Sequence, residues 1–382
     1  MTSSDKPWAE RASALAREVL ARHADDVDRE GRWPAESLAA LAESGFFGLT
    51  VPTTFRGAEA GARTFATVVG ILAEHCASTA MIYLMHTCAT QAIAAVQDFP
   101  QRQTVLRDIG VGRHLSTLAF SEKGSRSHFW APISQVVIDG DKHRLSAEKS
   151  FVTSAGKADS YIVNTRSIHP AAMTDQTLYF VPRETPGLTV TGAWNGMGVR
   201  GNASAPMRLA NVSVPESYRI GDDGSGFPLI MQAVLPWFQL GSAAVSVGIA
   251  RAAVHGIRDH LLASNLEHLG QSLAALPNLR ARLAQMQITV DTQQAFLDHV
   301  AGLMETPGPA TLLAVLESKT AAGEAALQVT DLAMRTGGGA CFGKRLSVER
   351  NFRDARASSV MAPTTDVLHE FIGRALLDMP LF

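Results

Sequence analysis

SQVVIDGDKHRLSAEKSFVTS, residues 134–154, is the stretch of the sequence that decides the fold class. Apolar or β-branched side chains alternate with polar ones along it, and a period of two residues is typical of β-strands. Residues 139–141, two aspartates around a glycine, have the composition of a hairpin turn between two such strands. Further short runs of this kind extend from Leu115 to Asp222, so the sequence predicts a β domain in the middle of the chain.

Helical patterns occupy both flanks of this β domain. Before it, apolar residues recur at three- and four-residue intervals, as in ERASALAREVLARHADDVDRE. After Gly226, long segments rich in small residues appear, such as GSAAVSVGIARAAVHGIRDHLL, and helices of this kind pack closely into bundles. The predicted organisation is an N-terminal helical domain at 1–114, a middle β domain at 115–224 and a C-terminal helical bundle at 225–382.

The low content of charged residues limits the classes of partner. Charged residues make up 18% of the chain and hydrophobic ones 46%, with a net charge of −2. Such a protein lacks the basic surface that holds a nucleic-acid backbone, so we expect no nucleic-acid partner. The deficit of charge also suggests that more surface is buried than one monomer needs, as in an oligomer.

The cysteines and the N-terminus favour a cytoplasmic protein. Cys76, Cys88 and Cys341 are widely spaced and form no CxxC pair, which predicts neither a disulfide framework nor a zinc site. Residues 1–20 carry acids and bases throughout and lack the apolar core of a secretory signal. Residues 224–250 are uncharged, but prolines and glutamines interrupt them, which favours a buried core helix over a membrane span.

Common catalytic motifs are missing from the sequence. No GxGxxG joins a predicted strand directly to a predicted helix, and GxxxxGK[ST], HExxH and GxSxG do not occur. The triple glycine at 337–339 is by itself compatible with a helix C-cap and loop. The twelve histidines are scattered, so we predict no metal site.

Five dispersed segments, taken together and in order, resemble the acyl-CoA dehydrogenase superfamily. They are AESGFFGLTVPTTFRG (42–57), LAFSEKGSRS (118–127), KSFVTSAGKADSYIV (149–163), GMGVRGNASAPMRLANVSVPESYRIGDDGSGF (196–227) and RTGGGACFGKRLSVERNFRDAR (335–356). The second and third are similar to the family's ALTEPxAGS and KxWITNxxxAD elements, and the last is similar to GGxGYxxxxPVERxxRDAR.

This resemblance implies an α+β multi-domain fold with a helical N-terminal domain, a middle β-barrel or sandwich and a C-terminal four-helix bundle. It implies an oxidoreductase that uses FAD, with FMN as an alternative, on an acyl thioester or other small molecule. An electron-transferring flavoprotein or a flavin reductase is the implied redox partner, and a homodimer or homotetramer is the implied assembly.

The resemblance also assigns cofactor-binding roles to residues at matching positions. Phe120, Ser121 and Ser127 belong to the strand that runs along the flavin in the family. Phe151 stands where an aromatic ring covers one flavin face, and Thr153 where a hydroxyl approaches its edge, roles that suit a flat apolar ring and a short polar side chain. The other matching positions are a glycine pair and two residues of the family's G-T-S-E element: Gly338, Gly339, Thr364 and Asp366.

Both positions at which the family carries its catalytic glutamate hold other residues here. The glutamate after RDAR falls on Ala362, and the alternative on the first bundle helix falls on Phe238, with Gln239 in the place of a neighbouring arginine. A base must lie within proton-transfer reach of the substrate α-carbon. His86 and His128 are candidates, because an imidazole accepts a proton near neutral pH. The alternative is that each is a pocket or surface residue with no proton role.

A second departure concerns the cofactor. The family's arginine that reaches the flavin pyrophosphate across a subunit interface corresponds to Leu266, and the glutamine of the following helix corresponds to Pro277. Arg280 or Arg282 is a candidate to take over that contact, or either is a solvated helix residue.

These departures leave three functions open. The first is an acyl-thioester oxidoreductase whose base has moved. The second is a flavin monooxygenase, in which reduced flavin and O2 act in a dry pocket of Phe129, Trp237 and Phe238 beside Ala362. The third is a degenerate family member that binds a flavin or acyl ligand without turnover.

Overall fold

The computed structural model describes residues 6–126 and 128–382, and its elements run helices, strands, helices, as the sequence predicts. The N-terminal helices are Lys6–Leu15 (α1), Ala21–Glu30 (α2), Ala35–Glu43 (α3), Ala62–His75 (α4), Ala77–Ala95 (α5) and Arg102–Gly110 (α6). A π-helical turn at Ala16–Leu20 joins α1 to α2. Cys76, whose backbone is extended, separates α4 from α5.

The described residues of the middle part form two four-stranded sheets, with strand orders β1-β4-β5-β8 and β2-β3-β7-β6. The strands are Ser116–Ala119 (β1), Gln135–Asp139 (β2), Lys142–Val152 (β3), Ser160–Arg166 (β4), Gln176–Pro182 (β5), Leu188–Val190 (β6), Ala205–Pro215 (β7) and Arg219–Ile220 (β8). β1 and β4 are parallel, and the other pairs are antiparallel.

The hairpin predicted in the opening stretch is confirmed. β2 and β3 pair through Asp139 and Lys142, and Gly140 in the turn has φ +62°. Along β3, exposed and buried residues alternate as far as Lys149, which is the burial that a period of two predicts. The strand therefore ends with its last residues at the edge of the domain core.

The C-terminal part is a helical bundle built around one long central helix. Its helices are Gly226–Leu229 (α7), Leu235–Ala263 (α8), Pro277–Glu305 (α9), Thr311–Gly337 (α10), Gly339–Phe342 (α11), Ser347–Val360 (α12) and Thr365–Leu376 (α13), with a short ladder of Asn265–Leu266 (β9) and Gln271–Ser272 (β10). A Cβ at Gly248 would overlap the carbonyl oxygen of Gly70, so the contact of α8 with α4 requires glycine.

The uncharged segment noted in the sequence lies inside this bundle. The helical stretch Gly226–Ala263 is long and apolar enough to cross a membrane by length and composition alone, but 83% of its most apolar window is buried in the fold. Burial against protein on all sides explains the composition of such a helix. The segment is therefore a core helix, as interpreted from the sequence.

Helix α12 joins the three parts of the chain. The Arg353 guanidinium donates to Asp28 of α2 at 2.8 Å and to the carbonyl oxygen of Met197 at 3.0 Å. The next residue, Asp354, accepts the backbone N–H of Val199 at 2.6 Å. These contacts fix the N-terminal helices and the β domain relative to the bundle.

Candidate functional site

An exposed aromatic ring stands at the end of β3. Phe151 is 69% exposed and has φ +55°, a left-handed conformation that is uncommon for residues other than glycine. Its ring meets the ring of Trp194 edge-on at 6.4 Å between centroids. Strained residues of this kind cluster at ligand sites, and the exposed flat face is what stacking on a flavin requires.

The segment that follows β1 is bonded to the residue before Phe151. The backbone N–H of Ser150 donates to the carbonyl oxygen of Ser121 at 2.9 Å. The fold therefore brings Phe120 and Ser121 next to Phe151, residues that the family pattern assigned to one cofactor face. Ser127, assigned to the same face, lies outside the described residues.

A buried ion pair that the sequence pattern did not single out holds these two segments together. Lys149 Nζ donates to Glu122 Oε1 at 2.6 Å and to both oxygens of Asn164, at 2.6 and 2.8 Å. Burial raises the pKa of the Glu122 carboxyl, but the Lys149 ammonium and the N–H groups of Ser134 and Ile133 outweigh it, so the net shift is downward. The signal was present, since both charges belong to motifs that carry the family resemblance.

Thr153 lies two residues beyond the exposed ring and faces inward. It is buried, its Oγ1 shares a hydrogen bond with Ser204 Oγ at 3.1 Å, and its carbonyl oxygen accepts from Thr117 Oγ1 at 3.0 Å. These contacts fix the backbone of the segment that carries Phe151. The predicted approach of the Thr153 hydroxyl to a flavin edge stays a prediction.

The triple glycine forms an open turn between α10 and α11. Gly338 has φ +55° and ψ −136°, and a Cβ built at Gly338 or Gly339 meets no heavy atom within 4 Å. Arg282 NH1 donates to the carbonyl oxygen of Arg335 at 3.3 Å, just before this turn. Arg282 is thus close to the glycines.

The other basic residue considered for the cofactor lies elsewhere. Arg280 NH1 donates to the carbonyl oxygen of Ala274 at 3.0 Å, in the segment that leads into α9. Leu266, in the arginine position of the family, pairs with Gln271 in the short ladder of β9 and β10. Of the two arginines, Arg282 lies near the glycine turn, and a pyrophosphate contact by either one stays a prediction.

The turn between α12 and α13 carries Ala362, and a buried lysine donates hydrogen bonds to its backbone. Lys319 Nζ donates to the carbonyl oxygens of Ser358, Met361 and Pro363 at 3.1, 3.0 and 2.7 Å. Burial lowers the pKa of this lysine to about 7. The turn is therefore fixed in position although its own side chain at 362 is only a methyl group.

Thr364 and Asp366 begin helix α13. The Thr364 hydroxyl caps the helix by accepting the backbone N–H of Val367 at 3.4 Å, and Asp366 is exposed in the first turn. A hydroxyl at this position satisfies a helix N–H whether or not a ligand is bound. Their predicted contact with the adenosine part of a cofactor stays a prediction.

The predicted pocket aromatics fall into two groups. Phe129 is buried and meets Trp130 edge-on at 5.2 Å, and Trp130 in turn contacts Phe371 of α13 at 5.4 Å. Trp237 and Phe238 are half-buried at the start of α8, where Trp237 contacts Phe65 at 5.2 Å. The first group packs the loop after β1 against α13, and the second remains partly open.

The geometry of His86 argues against its predicted role as a base. The ring is fully buried in α5; Nδ1 accepts the backbone N–H of Ser116 at 3.1 Å, and Nε2 lies 3.2 Å from the carbonyl oxygen of Phe47. Nδ1 is therefore the acceptor nitrogen and Nε2 carries the proton, so no lone pair is left for a substrate. Burial lowers the pKa of His86 to about 4.

His128 lies in a different environment. Its side chain is exposed, and its ring is 4.8 Å from the ring of Trp130. Because Trp130 contacts α13, the loop that carries His128 lies against the helix that follows Ala362. Of the two histidines, His128 has the accessible ring.

The residues of this region suit a flat cofactor with a polar rim. Phe151 supplies an open aromatic face, and Ser121 a short hydroxyl on the segment bonded to Ser150. Elsewhere in the fold, the turn at Gly338 offers a backbone that a ligand can approach closely. The described residues contain no cluster of three or more His, Cys, Asp or Glu side chains that would hold a metal ion.

Three family models match the chain in sequence order. They are described as the N-terminal domain of acyl-CoA dehydrogenase, matching residues 2–113, its middle domain, matching 117–212, and its C-terminal domain, matching 224–377.

Individual proteins agree with these matches. The chain is 27% identical to the probable acyl-CoA dehydrogenase YngJ of Bacillus subtilis, over 99% of both chains. It is 28% identical to the short-chain specific acyl-CoA dehydrogenase of Bos taurus mitochondria, over 95% of this chain and 87% of the relative. The structure of butyryl-CoA dehydrogenase from Megasphaera elsdenii superimposes with a TM-score of 0.93 over 99% of both chains, at 22% identity, which shows a shared fold.

Proposed function

Because the chain belongs to the acyl-CoA dehydrogenase family, whose members are FAD-dependent oxidoreductases, we propose that it oxidises an acyl thioester or a similar acyl-bearing small molecule. The observation that carries the proposal is the exposed ring of Phe151 at φ +55°, next to Ser121, on a β domain flanked by both helical domains of the family. FAD, when bound, supplies the acceptor for a hydride from the substrate.

The chain's own residues bind and orient the cofactor in this proposal. Phe151 stacks on one face of the ring system, and Phe120, Ser121 and Thr153 line its edge. Arg282 provides a positive charge near the glycine turn in place of the arginine that Leu266 replaces. The remaining proposed contacts are Ser127, Gly338, Gly339, Thr364 and Asp366.

Proton removal is the step in which this chain departs from the family. Ala362 and Phe238 bear no ionisable group, and both nitrogens of His86 are engaged in the fold. We assign the proton acceptor to His128, whose exposed ring lies on the loop packed against α13. An imidazole ring that is open to solvent can accept a proton from a substrate and suits this role.

The absence of an ionisable group at Ala362 and Phe238 also favours a second function. A monooxygenase that uses reduced flavin and O2 needs a dry pocket rather than a base for an α-proton. Trp237, Phe238 and Ala362 give an apolar lining, and Gln239 is neutral where the family has an arginine. This reading ranks below the first because the matched relatives are dehydrogenases.

Further parts of the proposal concern partners and location. The electron acceptor is an electron-transferring flavoprotein in the first function and a flavin reductase supplies electrons in the second. The assembly is a homodimer or homotetramer in the cytoplasm, and FMN is the alternative cofactor.

Anaerobic mixing of the purified flavoprotein with acyl-CoA esters of increasing chain length tests the first function. Bleaching of the flavin absorbance is expected, and His128→Ala should slow it at least about a hundredfold while flavin content is unchanged. O2 uptake that occurs only with a reductase, and no bleaching by any ester, would favour the monooxygenase. Protein that purifies without flavin and reacts in neither assay would indicate a non-catalytic family member.

A further inference from the structure

A buried glutamine without a partner lies at the start of the central helix α8. Gln239 is fully buried, and among residues 6–126 and 128–382 neither its Oε1 nor its Nε2 has a hydrogen-bond partner. A side-chain amide offers two donors and an acceptor with two lone pairs. Buried polar groups are almost always bonded in native proteins, so this amide requires an explanation.

The register of the helices shows what lies beside Gln239. A Cβ at Gly256, late in α8, would lie 2.9 Å from Val348 at the start of α12. Ser242, early in α8, lines a small cavity together with Met361, which follows the end of α12. Helices α8 and α12 therefore run antiparallel. Gln239 is one helical turn before Ser242 and on the same face. Helical side chains lean toward the N-terminus, which directs the amide toward the turn that carries Ala362.

A single trapped water does not account for this amide. The cavity between α5, α8 and α12 has a volume of about 10 Å³, close to the space of one water molecule. Its lining includes Ser242 and Ser358, whose hydroxyls also have no partner in the described part of the chain, but it does not include Gln239. A water there satisfies the serines and leaves the glutamine free.

Among the described residues, no group of the turn is hydrogen-bonded to Gln239. The carbonyl oxygens of Ser358, Met361 and Pro363 all accept from Lys319. Because Gln239 is fully buried, an unmet hydrogen bond of its amide is unfavourable.

We propose that Gln239 binds the substrate, its amide donating one hydrogen bond to an uncharged polar substituent of the acyl group and accepting another from it. This inference rests on the proposed function, because it places the acyl group between α8 and Ala362. A hydroxyl or amide substituent matches the donor and acceptor of the glutamine, whereas a charged group would be buried without a counter-ion. The substrate class is thus a polar-substituted acyl thioester rather than a plain hydrocarbon one.

The test compares wild-type holoenzyme with Gln239→Leu, which keeps the volume and removes the amide. Gln232→Leu, at an exposed position earlier in the same helical stretch, is the matched control. Dissociation constants are measured anaerobically for butyryl-CoA and for its 2-, 3- and 4-hydroxy derivatives. The wild type and the control should bind one hydroxy derivative about tenfold or more tightly than butyryl-CoA, and Gln239→Leu should lose that preference without unfolding at a lower temperature.

The outcomes separate this inference from the proposed function. Equal preference in wild type and Gln239→Leu, or no preference for any hydroxy derivative, would overturn the role of Gln239 even if the esters bleach the flavin. A preference that Gln239→Leu abolishes, with no bleaching, would support the binding role and contradict the oxidation. A lower melting temperature of Gln239→Leu with an intact preference would show that the amide is structural.

Discussion

Lys319 Nζ donates to the carbonyl oxygen of Pro363 at 2.7 Å, so a lysine of α10 fixes the turn in which the family places its catalytic glutamate. The same ammonium also holds the carbonyl oxygens of Ser358 and Met361. The turn is thus anchored by its backbone, and its position does not depend on the side chain at 362. A small residue such as Ala362 is tolerated there without loss of the local fold.

Replacing Lys319 by methionine should destabilise the protein by about 3 kcal/mol, because three carbonyl groups that are mostly buried lose their donor. Urea unfolding followed by circular dichroism measures the change. Lys344→Met, at an exposed position after α11, is the control and should leave the midpoint unchanged. Equal midpoints for the two variants would show that the three contacts contribute nothing to stability.

His86 should prove structural rather than catalytic. His86→Ala removes the hydrogen bonds to Ser116 and Phe47 and leaves a cavity, so the free energy of unfolding should fall by about 2–4 kcal/mol. Substrate should still reduce the flavin in those molecules that are folded. Flavin bleaching per folded molecule is the measurement. Complete loss of bleaching in a folded, flavin-bound His86→Ala protein would restore this histidine as the base.

The pKa of His86 predicts a stability loss in acid. Its value in the folded chain, about 4, is below its ordinary 6.5, so the unfolded chain binds a proton in that interval that the folded chain does not. Wild-type stability should therefore fall as pH decreases from 6.5 toward 4, by up to about 3 kcal/mol from this group. His86→Gln should lack this contribution, whereas exposed His169→Gln should retain it.

Asp354 should make the stability depend on pH in the direction opposite to that of His86. Burial raises its pKa to about 6 from an ordinary 3.8, although the Val199 N–H and Arg350 favour the ionised form. The folded chain then binds a proton between pH 3.8 and 6 that the unfolded chain does not, so this group's contribution to stability is present below pH 3.8 and is lost as pH rises through 6.

Asp354→Asn keeps an oxygen acceptor for Val199 and removes the titration. The variant should be more stable than wild type by about 3 kcal/mol at pH 7, and the difference should shrink as the pH is lowered toward 4. Urea midpoints at several pH values measure it, with exposed Asp98→Asn as the control. A difference independent of pH would contradict the assignment.

Phe151→Ala should weaken FAD binding about tenfold through loss of the stacked ring, and Phe151→Trp should preserve it. Because the ring is 69% exposed, the urea midpoint of the cofactor-free protein should not change. Fluorescence titration with FAD gives the dissociation constants. Met173→Ala, also an exposed apolar residue of the β domain, should bind FAD as the wild type does.

The sequence predicted those features that depend on local patterns. The alternation in residues 134–154 gave the β2–β3 hairpin, and the small-residue segments gave the bundle helices, because both signals come from neighbouring residues. The position of Phe151 followed from its motif. Its left-handed backbone did not, since nothing in the segment itself marks a residue for positive φ.

The roles of buried polar side chains were beyond local reasoning. His86 looked like a free imidazole, but its two partners, Phe47 and Ser116, are 39 and 30 residues away in the chain. The same holds for Lys319, whose acceptors lie about 40 residues further on. The structural role of such a side chain can be assigned only when the packing of separate elements is known.

The buried pair of Glu122 and Lys149 has a consequence for the order in which the protein forms. Either charge would be strongly unfavourable inside the domain alone, and Lys149 also needs the oxygens of Asn164 on β4. The loop after β1 can therefore close only once β3 and β4 are docked. On a growing chain, the surface around Ser121 and Phe151 is therefore complete only after residue 164 has emerged.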